Sequence, residues 1–345
     1  MKSLRRTLVT LLAALSLVAA SQGQDSQAYD QAISAFRAKN YETAAKLFAD
    51  VDSTNPSFAD APLFEGKCLV NLRRYADAEK VLRKFLISHP DSDDGLYLLG
   101  FVLNRENKAA ESLKIYTQAA SLKPPTADDL KIVGLNYVLL NDYEDSIKWL
   151  KRSVEMNSSD KDAWYFLGRA YYSRGRLPES ENAFRTALQL DPRHEKAENN
   201  LGLILEAEGK HDEAAKAYRQ AIAWAEQASV NDEQPYLNLG NLLMEQDRLS
   251  DAIPLLEKAA RIAPQDALCH LKLGTAYLHA NREADAQREL ERSTELDPAN
   301  AQGHFQLGKL YKRMNSLDRA KKEFDRVDEI QSRANVSEPH STVKR

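Results

Sequence analysis

Cysteine is almost missing from this sequence: 345 residues hold two, Cys68 and Cys269, far apart. A chain stapled by disulfides would carry many more, so both are expected to be buried or half-buried thiols. Positive charge is not in excess either. The net charge is -4 at pH 7, whereas nucleic-acid binding needs a basic face to meet phosphate; nucleic acid is not an expected partner. There is no phosphate-binding glycine loop and no strand to carry one. "HEKAE" at His194 and "HDEAA" at His211 lack the second histidine, four residues after the first, that a zinc-protease helix requires. These absences argue against an enzyme and against a cofactor.

Long apolar runs are missing too. One stretch, Leu8 to Ala20, comes nearest, and it is too short to span a bilayer, which takes about 20 residues. Lys2, Arg5 and Arg6 precede it, and small residues follow, with cleavage points after Ala20 or Gly23. A charged start, a short apolar middle and a small-residue exit describe a secretory signal peptide, residues 1–23. The expectation is export, to a periplasm or outside the cell, with the mature chain starting near Ser21 or Gln24 and no stable membrane insertion after cleavage. Losing Lys2, Arg5 and Arg6 takes the net charge from -4 to -7.

Glycine is sparse, 13 in all, yet its placement is regular. Gly66, Gly100, Gly134, Gly168 and Gly202 are 34 residues apart; after a shift of four come Gly240, Gly274 and Gly308, and Ala32 leads the series. Twelve residues after each stands a small residue: Ala44, Ala78, Ser112, Ser146, Ser180, Ala214, Ala252, Ala286 and Ala320. Four further on stands a large apolar one: Phe48, Leu82, Tyr116, Leu150, Phe184, Tyr218, Leu256, Leu290 and Phe324. In "AWYFLGRAYYSRGRLPESENAFRTALQLDP", from Ala163 to Pro192, the residues Trp164, Leu167, Gly168 and Tyr171 are spaced W-x2-L-G-x2-Y.

On these residues the chain resembles the tetratricopeptide repeat (TPR) family from about Asp25 to Ala334. The resemblance implies an all-α array of helical hairpins forming a right-handed α-solenoid superhelix. Nine repeats are expected: 25–58, 59–92, 93–126, 127–160, 161–194, 195–228, 233–266, 267–300 and 301–334. Glycine costs about 1 kcal/mol relative to alanine inside a helix, so it marks a close approach of the two helices, with the small residue opposite it and the bulky one beside them. Asn107, Asn141, Gly175, Gly209, Asn281 and Asn315 suit the left-handed turn between helices. Pro62, Pro178, Pro235 and Pro254 are expected in first helical turns, where the missing N–H has no helical partner anyway.

Two departures stand out. Four residues, 229–232, are inserted after the sixth repeat, which predicts a lengthened helix near Trp224 to Ala228. Both a tolerated insertion and a hinge fit them. In the last repeat Lys321 and Asp328 stand where other repeats have apolar residues such as Ile147 and Val154, giving a terminal repeat its polar outer face. The tail 335–345 is polar and expected to be disordered.

Cys269, His270 and His304 could be read as metal ligands, but they are few and unpaired, and both histidines hold the packing position of Trp164. What the family implies instead is a concave binding face lined by positions 2, 5, 9, 12 and 13 of each repeat. Repeats three to five present Tyr97, Phe101, Arg105, Lys131, Leu135, Tyr165, Arg169 and Tyr172 there, and rings interleaved with cations suit an extended peptide or protein segment. Lys309, Lys312 and Arg313 form a candidate basic patch. The expected function is a non-catalytic protein-binding scaffold in an exported compartment; the alternative is an accessory module of envelope polysaccharide or peptidoglycan synthesis, export or secretion. The peptide-terminus clamp of some chaperone-binding members needs Lys at position 5 with Asn at position 9; Asn241 meets Leu237 instead.

Overall fold

The computed structural model describes residues 26–51, 53 and 55–337, with side chains through 333. The expected signal peptide lies outside them. Two compact bodies, joined between Arg176 and Leu177, make up the chain. The first holds α1 (26–37), α2 (Tyr41–Asp50), α3 (Ala61–Asn71), α4 (Tyr75–Ser88), α5 (Asp93–Arg105), α6 (Ala109–Leu122), α7 (Ala127–Leu139), α8 (Tyr143–Met156) and α9 (Lys161–Ser173). The second holds α10 (Leu177–Leu190), α11 (Glu195–Ala207), α12 (His211–Gln227), α13 (Gln234–Glu245), α14 (Leu249–Ile262), α15 (Ala267–His279), α16 (Glu283–Leu296), α17 (Ala301–Arg313) and α18 (Leu317–Ser337). No strand occurs among the described residues. No described helix is long and apolar enough to cross a membrane.

The repeat motif explains the packing. Within each body, from α2 onward, a helix packs on its successor, and the first helices of neighbouring hairpins also touch: α3 with α5, α5 with α7 and α7 with α9. At Gly66 a Cβ would meet Leu82 at 2.8 Å, and at Gly134 it would meet Leu150 at 2.7 Å. The bulky residue therefore sits over the glycine itself, closer than beside it, and the small residue fits the space left on the same helix. Ser112, fully buried, uses that space to donate a 2.6 Å hydrogen bond to the Gly100 carbonyl. Leu167 is 2% exposed on α9; its truncation to alanine is expected to cost about 2–5 kcal/mol.

The hairpin turns keep register. Lys39, Arg73, Asn107, Asn141, Gly175, Gly209, Asp247, Asn281 and Asn315 all take positive φ. The amide that follows such a residue reaches back and closes the helix: Lys108 N donates to Leu103 O at 2.8 Å, Asp142 N to Tyr137 O at 2.9 Å, and Ser316 N to Tyr311 O at 2.8 Å. Lys39, Arg73 and Asp247 hold this left-handed turn without the asparagine or glycine that advertises it.

Two expectations need correcting. Pro62, Pro178 and Pro235 do stand in first turns, but Pro254 lies inside α14, in its second turn. It forgoes a bond to the Ser250 carbonyl, which water can reach because both residues are exposed. α18 continues through Asn335, Val336 and Ser337, three residues expected to be disordered; residues 338–345 lie outside the described ones. The boundary between the compact bodies falls inside the fifth expected repeat, away from the insertion at 229–232. At that insertion α12 runs to 17 residues and closes on Ser229 at φ 53°, with Val230 N bonded to Ala225 O. Lys321 and Asp328 are exposed on α18.

Candidate functional site

The first helices of the third to fifth repeats, α5, α7 and α9, share one face of the first body. Successive turns of α5 carry Tyr97, Phe101 and Arg105, and those of α7 carry Lys131 and Leu135; residues four apart lie one above the other on a helix. Two of the helices start from strong caps. Thr126 and Asp129 form a reciprocal capping box on α7, and Asp160 accepts from the Asp162 and Ala163 amides on α9.

Two cavities open on this face. One, of about 500 Å³, brings together Tyr97, Phe101 and Lys131, with Leu98, Tyr116 and Ile132. The Tyr97 hydroxyl donates to the Lys123 carbonyl at 2.6 Å, so its ring is held at the wall. The lysines here are already neutralised. Lys131 pairs with Asp160 at 2.6 Å and Asp128 at 2.8 Å, Lys123 with Asp93 at 2.9 Å, and Lys67 with Asp94 at 3.4 Å. For Asp160, burial works against ionisation, but the bonds from Lys131 and the α9 amides outweigh it and lower its pKa.

The other cavity, of about 320 Å³, brings together Arg105, Leu135 and Arg169, with Asn104, Val138, Leu139, Tyr143 and Phe166. Arg105 lies over the Tyr75 ring at 5.6 Å and Arg169 over the Tyr165 ring at 5.9 Å. Tyr165 itself is 8% exposed, so it supports Arg169 from within the core and offers no binding surface. Tyr172 is exposed but lines neither cavity. Asn104, Tyr143 and Phe166 are site residues that sequence reasoning passed over. Asn104 holds position 12 of its repeat, and the available signal was an asparagine in a helix interior, a place it favours little without a partner.

The basic patch is smaller than expected. Arg313 donates to the Leu278 carbonyl at 3.2 Å and to Asn281, and pairs with Glu283 at 2.8 Å. It ties α17 to the preceding hairpin turn. Lys309 and Lys312 are exposed, with Lys309 over the Phe305 ring at 5.7 Å.

The histidines are packed. His270 Nδ1 lies 2.8 Å from Glu289 and its Nε2 3.2 Å from the Pro264 carbonyl; His304 repeats this with Glu323 and Pro298 at 2.6 and 3.2 Å. Trp164 Nε1 likewise donates to a carbonyl six residues back, that of Ser158. Burial pushes the Cys68 thiol up to about 11 and that of Cys269 up to about 12. No group of three or more metal-ligating side chains occurs among the described residues.

Tetratricopeptide repeat models match residues 35–100, 134–193, 193–265, 243–302 and 301–333. The chain belongs to the tetratricopeptide repeat family. No curated protein matches it in sequence. Among solved structures it is similar to the Cut9–Hcn1 hetero-tetramer of the APC/C, at 18% identity and a TM-score of 0.59, over 84% of this chain and 56% of that one. It is similar to a TPR protein from Parabacteroides merdae, at 18% identity and a TM-score of 0.58, over 73% and 97%. A third is pilF of Pseudomonas aeruginosa, at 19% identity and a TM-score of 0.52, over 57% and 88%. The chain thus spans about half the length of the first of these. At such identities the likeness is one of fold.

Proposed function

We propose that this TPR protein is a non-catalytic scaffold of an exported compartment, holding an extended segment of a partner protein along the face of α5, α7 and α9. The observation that carries this reading is the alignment of the two cavities. Phe101 and Arg105 are about one turn apart on α5, and Lys131 and Leu135 about one turn apart on α7, the first of each pair at one cavity and the second at the other. Four residues of helix rise about 6 Å, close to the span of two residues of extended chain. Export rests on the pattern of residues 1–23.

Photo-crosslinking tests the reading. With p-benzoylphenylalanine at position 101 or 139, adducts to a partner are expected; at position 317, exposed in the second body, they are not. Equal labelling at all three positions, or none at 101 and 139, would overturn it. Export is checked by the N-terminus of the protein in the exported fraction, expected near Ser21 or Gln24. An intact Met1 there would contradict cleavage.

A further inference from the structure

The two cavities differ in charge. Aspartates neutralise the lysines of the first. No carboxylate lines the second, and neither Arg105 nor Arg169 has an ion-pair partner among the described residues. Arg105 and Arg169 lie within cation–π reach of the Tyr75 and Tyr165 rings, and no hydrogen bond to a protein acceptor occupies either guanidinium among the described residues.

The floor adds an acceptor. Asn104 is 7% exposed and lines this cavity. A buried chain of hydrogen bonds fixes its orientation from the inside. Ser112 Oγ donates to the Gly100 carbonyl at 2.6 Å, so it accepts from Asn136 Nδ2 at 2.8 Å; Asn136 Oδ1 then accepts from Asn104 Nδ2 at 2.9 Å. Asn104 Oδ1 is left as the open end of the chain, an acceptor without a protein partner among the described residues.

We infer that the second cavity reads an acidic residue within the bound segment. Its side-chain carboxylate meets Arg105 and Arg169, a backbone N–H beside it donates to Asn104 Oδ1, and a neighbouring apolar side chain packs on Leu135 and Phe166. This rests on the peptide-binding reading above. The first cavity continues the groove one helical turn away, which favours an internal segment over a chain end.

The test is selection from a random decapeptide library displayed as an internal segment of a carrier, against the purified protein and an R105Q/R169Q variant. Both arginines are exposed, and circular dichroism verifies the fold of the variant. The expected winners carry Asp or Glu beside an apolar residue. A capped synthetic winner is expected to bind at least about tenfold more weakly when its acid becomes the amide, and the double variant is expected to bind both forms alike. Backbone N-methylation next to the acid is expected to weaken binding by the wild type, and no loss at any such position would overturn the role of Asn104. Winners without acids, or an acid preference kept by the double variant, would overturn the inference and leave peptide binding standing. No enrichment at all would overturn both. Tighter binding only by a free C-terminus would overturn the internal-segment assignment.

Discussion

Tyr218 closes over Gly202 so tightly that a Cβ on Gly202 would lie 2.5 Å from the ring. The ring is fully buried, and its hydroxyl donates to Glu206 at 2.6 Å, so it has little room to yield. Gly202→Ala gains about 1 kcal/mol of helix propensity but overpacks the hairpin, at a typical cost of about 1–3 kcal/mol. A net loss is expected as a lower urea midpoint. Gly303→Ala is the control: its Cβ would come no closer than 3.3 Å, to the Thr294 side chain, and its midpoint is expected to hold or rise.

That contact shows why the fold was legible. Glycine (alanine at Ala32), small residue and bulky residue recur at fixed spacing because a bulky side chain on the second helix packs against a residue of little or no side chain on the first. The turns at Lys39, Arg73 and Asp247 were not legible, since packing imposed a left-handed backbone on residues that do not signal it. The site was legible by face but not by depth. Position within the repeat put Tyr165 and Arg169 on one face, yet how far a neighbouring hairpin covers a ring depends on tertiary packing. The role of Asn104 depends on Asn136 and Ser112, which lie on other helices.

Tyr165 and Phe101 should therefore separate stability from binding. Tyr165→Ala removes a buried ring and is expected to cost about 3–5 kcal/mol. Phe101→Ala, at the wall of the first cavity, is expected to lower peptide affinity with a smaller loss of stability. Urea unfolding and peptide titration of both variants check the split; equal stability losses would contradict it.

Acid should weaken the first body through Glu79. Burial opposes its ionisation, but bonds from Lys108 and Arg83 outweigh this and hold its pKa at about 2. A carboxylate depressed in the folded state contributes stability above its unfolded pKa of about 4.3, and that contribution is lost as pH falls toward about 2. Glu79→Gln is expected to be less stable at neutral pH and to show a flatter fall from about pH 4 to about pH 2. An unchanged slope would rule Glu79 out as a contributor.

Alkali should act on the second body through Tyr311. Burial, together with its 2.6 Å bond to Glu291, pushes its pKa up to about 12. Protons are then held more tightly by the folded chain than by the unfolded one, whose tyrosine titrates near about 10. The stability linked to Tyr311 is fully present below about pH 10 and is lost as pH rises through about 12. Tyr311→Phe cannot ionise, so its unfolding midpoint is expected to fall less steeply than that of the wild type over this window. Parallel curves would show that the Tyr311–Glu291 bond is not linked to folding.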